Sequence, residues 1–210
     1  MATIAYYHLN IEKTAQISSK TSVNIPETVT FEEAIDLTQS LMSQMAAGEL
    51  SPAEIEQAIA QLVQSENGAR GFFVTYLTSK GTLADNPSPE VIQALQSSPD
   101  TVAELLVKNL AMSAAMELAH RRDGNEEMAQ ESGQVRSRTT YIIEQVEMEQ
   151  VQKMASKLRE SALTGEGKYK VFLKSWQYDA EQREIIAQVL RQILPTIKQE
   201  EDDLKEDDDQ

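Results

Sequence analysis

The sequence predicts an all-α protein, a bundle of about six or seven helices, on the strength of three observations. Only 5% of its 210 residues are aromatic, so Leu, Ile, Val, Ala and Met must supply most of the core. With 8 glycines and 6 prolines, few residues interrupt long helices. Apolar residues also recur at helical spacing along most of the chain, and several of these stretches begin with a capping signal.

The composition divides the chain into three segments. Residues 1–29 are rich in Ser, Thr and Asn and contain Pro26, so we expect an irregular N-terminal arm. Residues 30–198 carry the helical spacing and are predicted to form the helical domain. Residues 199–210 hold eight acids and one lysine, which predicts a disordered acidic tail that increases solubility. The alternative is an acidic peptide that docks on a basic partner.

Two capping boxes predict the first two helices. Thr30 with Glu33 begins a helix that ends at Gly48, where a glycine suits the left-handed conformation of a helix terminus. Ser51 with Glu54 begins the second helix, and a proline occupies its first turn. Because the turn between the two helices is very short, we expect them to pair as a helical hairpin.

Two segments combine helix and strand signals. Residues 68–80 are rich in β-branched and aromatic residues, which favour a strand. Phe72, Phe73 and Tyr76 nevertheless fall on one helix face, and we therefore predict a helix. Residues 168–178 alternate somewhat, and the sequence does not decide between a short strand and a helix there.

Three further helices are predicted between these two segments. A short helix begins at Pro89, and a longer one begins at Pro99 and ends in the sequence RRDGN. The next helix is expected over about residues 126–161, with a break at Gly133 and a small shift in the phase of its apolar residues.

The last helix follows a further capping signal. Asp179 and Gln182 have the spacing of a helix start, and apolar residues continue at helical spacing beyond them. Pro195 should kink or end this helix, since proline cannot donate the backbone hydrogen bond of a helix interior.

The composition also restricts compartment and partners. The chain has no cysteine, which excludes disulfides and thiolate zinc sites. It has neither a run of about 18 apolar residues nor a signal-peptide pattern, so we expect a cytoplasmic protein without a membrane partner. The net charge is −15, and an acidic body repels the phosphate backbone, so nucleic acid is not an expected partner.

Glu117 and His120 have the Glu-x-x-His spacing of di-iron carboxylate bundles. Such a site needs a second pair, and the other histidine of the chain is His8 in the arm. We therefore prefer a structural interpretation. His120, Arg121 and Arg122 lie in the last turn of a helix, where positive charge is favourable, and Glu117 can pair with Arg121. No cofactor is predicted, and Glu117 and His120 are the metal candidates if an ion is bound.

Five arginines are the candidate contacts for a partner protein or an anion. Arginine forks suit carboxylate and phosphate groups, and a basic cluster is notable in a chain with 34 acids and 19 lysines and arginines. The alternative is that these side chains pair with neighbouring acids such as Glu126 and Glu131. The five candidates are Arg70, Arg121, Arg122, Arg136 and Arg138.

No catalytic residue is predicted. The sequence TGEGKYK has Tyr169 where a phosphate-binding loop needs serine or threonine. A serine triad needs a histidine base, for which the chain offers His8 and His120. A solvated helix face is the simplest interpretation of the many paired carboxylates.

The stretches GFFVTYLTSK and ELLVKNLAMSAAMELAHRR resemble those of uncharacterised all-helical proteins of cyanobacteria. The resemblance covers roughly residues 30–160 and lies in overall texture rather than in a catalytic signature. It implies an all-α cytoplasmic protein and assigns no functional residue.

The preferred function is non-enzymatic: a regulatory or scaffolding protein that binds another protein through helix faces. The alternative is a helical enzyme, or a cofactor- or anion-binding protein, that uses the region around Glu117, His120 and the nearby arginines. A homodimer is compatible with either function.

Overall fold

A computed structural model describes residues 25–26 and 28–194 of the chain. The predicted all-α fold is confirmed, and every regular element in the described residues is a helix. There are nine, because one predicted helix is divided and one undecided segment forms a short helix. They are α1 (Phe31–Ala47), α2 (Pro52–Val63), α3 (Glu66–Thr78), α4 (Pro89–Gln96), α5 (Pro99–Arg122), α6 (Glu126–Val146), α7 (Glu149–Thr164), α8 (Lys170–Ser175) and α9 (Ala180–Gln192).

The helix starts follow the capping signals. The Thr30 backbone amide donates to Glu33 at 2.8 Å, and the Glu33 amide donates to the Thr30 hydroxyl at 3.2 Å, which completes a capping box. The predicted boxes at the starts of α2 and α9 are also formed. At α4 and α5 the serine before the proline makes no side-chain cap, so the fixed φ of proline is the remaining local signal there.

The first helix packs against α3 more extensively than against α2, so the predicted hairpin of α1 and α2 is the smaller contact. Gly71 explains the close approach of α1 and α3. A methyl group at that position would lie 2.5 Å from the Cβ atom of Ala34 and 3.0 Å from the backbone nitrogen of Ile35. Only a residue without a side chain permits this separation.

The ambiguous segment around residues 68–80 is helical, as predicted. Phe72, Phe73 and Tyr76 of α3 are buried, and the Phe72 ring lies 5.4 Å from Phe73 and 5.1 Å from Tyr76 between ring centroids. The Tyr76 hydroxyl donates to the carbonyl of Leu83 at 2.8 Å. These aromatic residues are thus the core of the first half rather than one face of a strand.

The break predicted at Gly133 is wrong, since α6 runs without interruption through that residue. The break lies at Glu147, which adopts a left-handed conformation with φ 46° between α6 and α7. Gly133 instead faces Glu117 of α5, where a methyl group would lie 3.4 Å from the carboxyl carbon. The phase shift in the apolar residues beyond Val146 reflects the change of helix.

The longest helix, α5, occupies the centre of the fold and contacts α3, α4, α6, α7 and α9. Small residues along it, including Ala103, Ala111 and Ala115, are fully buried. Their short side chains allow neighbouring helices to approach α5 on several sides. No helix of the described residues is long and apolar enough to cross a membrane.

Residues 168–178, which the sequence left undecided, contain the short helix α8. α9 then ends at Gln192, three residues before Pro195. Pro195 itself, His8, most of the expected N-terminal arm and the acidic tail lie outside the described residues.

Candidate functional site

The end of α5 is joined to α6 by one buried carboxylate. Glu117 is 7% exposed, and its Oε1 atom lies 2.8 Å from Nη2 of Arg121 on the same helix. Its Oε2 atom accepts a hydrogen bond of 2.8 Å from Nε of Arg136 on α6. Gly133 of α6 faces this carboxyl group, at a distance where a methyl group would make an ordinary contact. The cluster is therefore an internal ion-pair network with one buried member.

The metal candidates are Glu117 and His120. The two guanidinium groups beside Glu117 would repel a metal cation, so this donor set does not suit one. Within the described part of the chain, no group of three His, Cys, Asp or Glu residues is placed to hold a metal ion. The Nε2 atom of His120 is buried and has no hydrogen-bond partner.

Arg122 points to a different helix from Arg121. It donates to Asp179 at 2.6 Å and also to Glu181, and both carboxylates lie at the start of α9. These hydrogen bonds raise the pKa of Arg122 above its ordinary value. A backbone hydrogen bond from Gln182, and then the Arg122 contact, lower the pKa of Asp179. Arg122 thus fixes the position of α9 against α5.

Arg138 is buried, with a side chain only 2% exposed. Its Nε donates to Asp85 at 2.6 Å, and its two Nη atoms donate to backbone carbonyls in the last turn of α3 and in the loop after it. The hydrogen bond from Arg138 is the main cause of the lowered pKa of Asp85. All these acceptors lie within the protein, so this guanidinium offers no surface to a partner. The three carbonyls belong to Leu77, Ser79 and Gly81, at 2.8, 2.7 and 2.9 Å.

The fifth candidate, Arg70, is exposed on α3 and lies with its guanidinium carbon 5.1 Å from the centre of the Phe31 ring. Of the five arginines, the structure joins Arg121 and Arg136 through one shared carboxylate. It directs Arg122 and Arg138 to other helices and loops. The five therefore do not form one exposed cluster.

A second surface lies where α7 ends and α8 begins. Among the described residues, the exposed large hydrophobic side chains are Leu163, 58% exposed, and Val171, 77% exposed. Val171 and Lys174 lie three residues apart on α8 and are both exposed. Arg183, in the first turn of α9, places its Nη1 3.4 Å from where a methyl group on Gly165 would lie. We call Leu163, Val171, Lys174 and Arg183 the α7–α8 corner.

The loop at this corner is held to α5 by Glu104. The Tyr169 hydroxyl donates to Glu104 at 2.8 Å, and Lys168 donates to the same oxygen at 3.0 Å. Burial raises the pKa of Glu104, but hydrogen bonds from Lys108, Lys168 and Tyr169 outweigh burial and lower it overall. Tyr169 and Leu173 are buried, so Val171 between them is turned outward.

The charge balance changes along the chain at the start of α7. Residues 28–148 contain eighteen acids and seven lysines and arginines, whereas residues 149–194 contain six acids and eight lysines and arginines. Five of those eight cations make no ion pair with any residue that the structure describes. Unpaired cations are notable in so acidic a chain. The five are Lys157, Arg159, Lys174, Arg183 and Arg191.

The acid in the loop between α7 and α8 is paired with a lysine. Lys170 donates to Glu166 at 2.5 Å, and this hydrogen bond, with the charges of Lys170 and Lys174, lowers the pKa of Glu166. Glu166 is the one acid in the connection between α7 and α8, where three lysines lie close in sequence. The sequence prediction did not include this surface, although the charge balance after residue 148 is a signal for it.

Comparison with known proteins identifies the family. The family described as "Uncharacterised conserved protein UCP020893" matches residues 30–193. The chain belongs to this family. The match begins at the capping box of α1 and ends directly after α9, so it includes both Glu117 and the α7–α8 corner. No curated protein and no solved structure matches the chain.

Proposed function

We propose that the protein is a non-enzymatic regulatory or scaffolding protein that binds an acidic segment of a partner protein at the α7–α8 corner. The observation that supports this most is the exposure of Val171 and Leu163 on two helices that one loop joins. Single exposed apolar residues are common on protein surfaces and need no explanation. Here two of them lie on helices that also carry cations without an ion pair among the described residues.

The two kinds of side chain would have different roles in binding. Covering the exposed parts of Val171 and Leu163 would contribute about 1–2 kcal/mol each, from the apolar area removed from water. Lys174 and Arg183 would attract an acidic segment and orient it, since charged contacts contribute more to association rate and specificity than to affinity. The acidic helices α1–α4 would repel the same segment, which favours binding at the corner.

Photo-crosslinking from the corner tests this proposal. Val171 is replaced by the photoreactive residue benzoylphenylalanine, and a matched variant carries it at Gln57, which is exposed on α2. Both proteins are irradiated in lysate of the native host, and the crosslinked peptides are identified by mass spectrometry. We expect acidic peptides of another protein, and not only of this chain, from position 171 that are missing from position 57.

A synthetic version of the crosslinked peptide provides the second part of the test. It should bind the purified protein, and the double variant Lys174→Glu, Arg183→Glu should weaken binding about tenfold or more, because two attractive contacts become repulsive. The thermal unfolding midpoint checks that each variant is folded. The proposal is wrong if positions 171 and 57 capture the same peptides, or if the double variant binds as tightly as the parent.

A further inference from the structure

We infer that the acidic end of this chain, residues 195–210, occupies the α7–α8 corner in the free protein. This inference concerns the purified chain alone. Only its consequence, competition with an acidic segment of a partner, rests on the proposed function.

The last described residue, Leu194, lies beyond the opposite end of α9 from Arg183. Arg183, at the start of α9, lies beside Gly165 at the end of α7, and α9 packs along α7, so the two helices run antiparallel. Leu194 is eleven residues beyond Arg183 and packs against the core. At about 1.5 Å per residue, Leu194 lies roughly 17 Å from Arg183.

The remaining chain is long enough to return to the corner. Residues 195–210 can extend to about 50 Å, at roughly 3.3 Å per residue. Leu204, ten residues beyond Leu194, can extend about 33 Å and so reach past Arg183, whereas Ile197, three residues beyond Leu194, can extend only about 10 Å. Leu204 stands among acids, so that one segment offers an apolar side chain for Val171 and carboxylates for Lys174 and Arg183.

Electrostatics distinguishes this surface from the rest of the protein. Residues 195–210 contain eight acids and two lysines, a net charge of −6. The same counting gives −11 for residues 28–148 and +2 for residues 149–194. The acidic segment is thus repelled by α1–α6 and attracted by α7–α9. The unpaired cations Arg191, Lys157 and Arg183 occur along both helices that the returning segment would follow.

Because the acidic segment is attached to the same chain, even a weak contact is sufficient to hold it at the corner. A short linker gives an effective concentration on the order of millimolar, so an acidic segment with millimolar intrinsic affinity would already cover much of the corner. The attraction between exposed charges is screened over about 8 Å at physiological ionic strength. Occupancy should therefore fall as salt is added.

Disulfide trapping in the full-length chain tests the inference. The chain has no cysteine, so the variant Ser175→Cys, Lys205→Cys contains one thiol on α8, a turn from Val171, and one beside Leu204. These substitutions leave Val171, Lys174, Leu204 and all eight acids of the segment in place. Equilibration with glutathione redox buffer, followed by gel and mass analysis, gives the effective concentration of one thiol for the other.

We expect an intramolecular disulfide to form. The effective concentration of one thiol for the other should fall at least fivefold when Lys174→Glu and Arg183→Glu are added. It should also fall at least threefold between 0.05 and 1 M salt. Lys80→Glu is the matched control, because Lys80 is an exposed cation without an ion pair among the described residues and lies on the acidic half. That variant should change the value less than 1.5-fold.

Three results would overturn the inference. One is an effective concentration that the corner reversals leave unchanged. Another is an equal loss with Lys80→Glu, which would show a general charge effect. The third is a disulfide formed between two chains with a yield that increases with protein concentration, which would make a second copy the occupant. None of these results bears on the crosslinking of a partner at Val171, so the two proposals fail separately.

Discussion

Replacing Arg138 by methionine should destabilise the fold more than any change at the exposed arginines. The substitution keeps the length of the side chain but removes four hydrogen bonds, three of them to carbonyls at the end of α3 and in the loop after it and one to Asp85. Removing one member of a buried charged pair costs about 3–5 kcal/mol. Because the Asp85 side chain is 43% exposed and can be rehydrated, we expect the lower end, about 3 kcal/mol.

Urea unfolding followed by circular dichroism at 222 nm measures this loss. With a slope of about 2 kcal/mol per M for a chain of this size, the midpoint should fall by about 1.5 M. Arg191→Met is the control, since Arg191 is exposed and makes no ion pair in the described chain, and should change stability by less than about 0.5 kcal/mol. A loss below about 1 kcal/mol for Arg138→Met would refute the role assigned to Arg138.

The pH dependence provides a second check on the same contact. Arg138 lowers the pKa of Asp85 in the folded protein, so this carboxylate stabilises the fold above its ordinary pKa. Its contribution should disappear as the pH falls through the lowered pKa. Asp85→Asn should therefore be less stable than the parent near pH 7 by about 0.5–1 kcal/mol, with no difference at the acid end of the titration. A difference that persists in acid would mean that the carboxylate charge is not the cause.

Three further substitutions test the packing, each by urea unfolding. Gly71→Ala should cost about 1–3 kcal/mol because the added methyl overlaps Ala34. Gly133→Ala should be neutral or stabilising, because its methyl meets Glu117 at an ordinary distance. Equal effects of the two substitutions would contradict the close contact of α1 with α3. Glu147→Gly should stabilise the fold by about 0.5–1 kcal/mol, because glycine adopts the left-handed backbone conformation without strain. A loss of stability would show that contacts of the Glu147 side chain outweigh this strain. Glu117→Gln should cost about 1–2 kcal/mol, since two charged hydrogen bonds weaken; no cost would mean that they contribute nothing.

Local sequence signals predicted the helix starts well, because a capping box depends on residues three positions apart. Thr30 with Glu33 is an example. The break after α6 was missed for a related reason. Glu147 has no intrinsic preference for a left-handed conformation, so packing rather than local sequence determines that turn. Gly133 was a misleading signal because it lies inside α6 and faces Glu117 instead of ending the helix.

The placement of the arginines could not be predicted, because their partners are distant in sequence. Arg138 binds backbone carbonyls about sixty residues earlier, and backbone atoms leave no trace in composition. Arg122 binds carboxylates more than fifty residues later. The exposure of Val171 depends on the burial of Tyr169 and Leu173 on either side, which only tertiary packing determines.

The most direct test of the central claim is to locate a bound acidic peptide on the protein. A ¹⁵N-labelled full-length variant, in which the eight acids after residue 199 are replaced by serine so that the attached segment no longer competes, is titrated with a synthetic peptide of residues 195–210. We expect saturable, salt-sensitive changes in amide shifts at Leu163, Val171, Lys174 and Arg183. Changes confined to α1–α4, or no changes at millimolar peptide, would contradict the assignment of the α7–α8 corner as a binding surface for acidic segments.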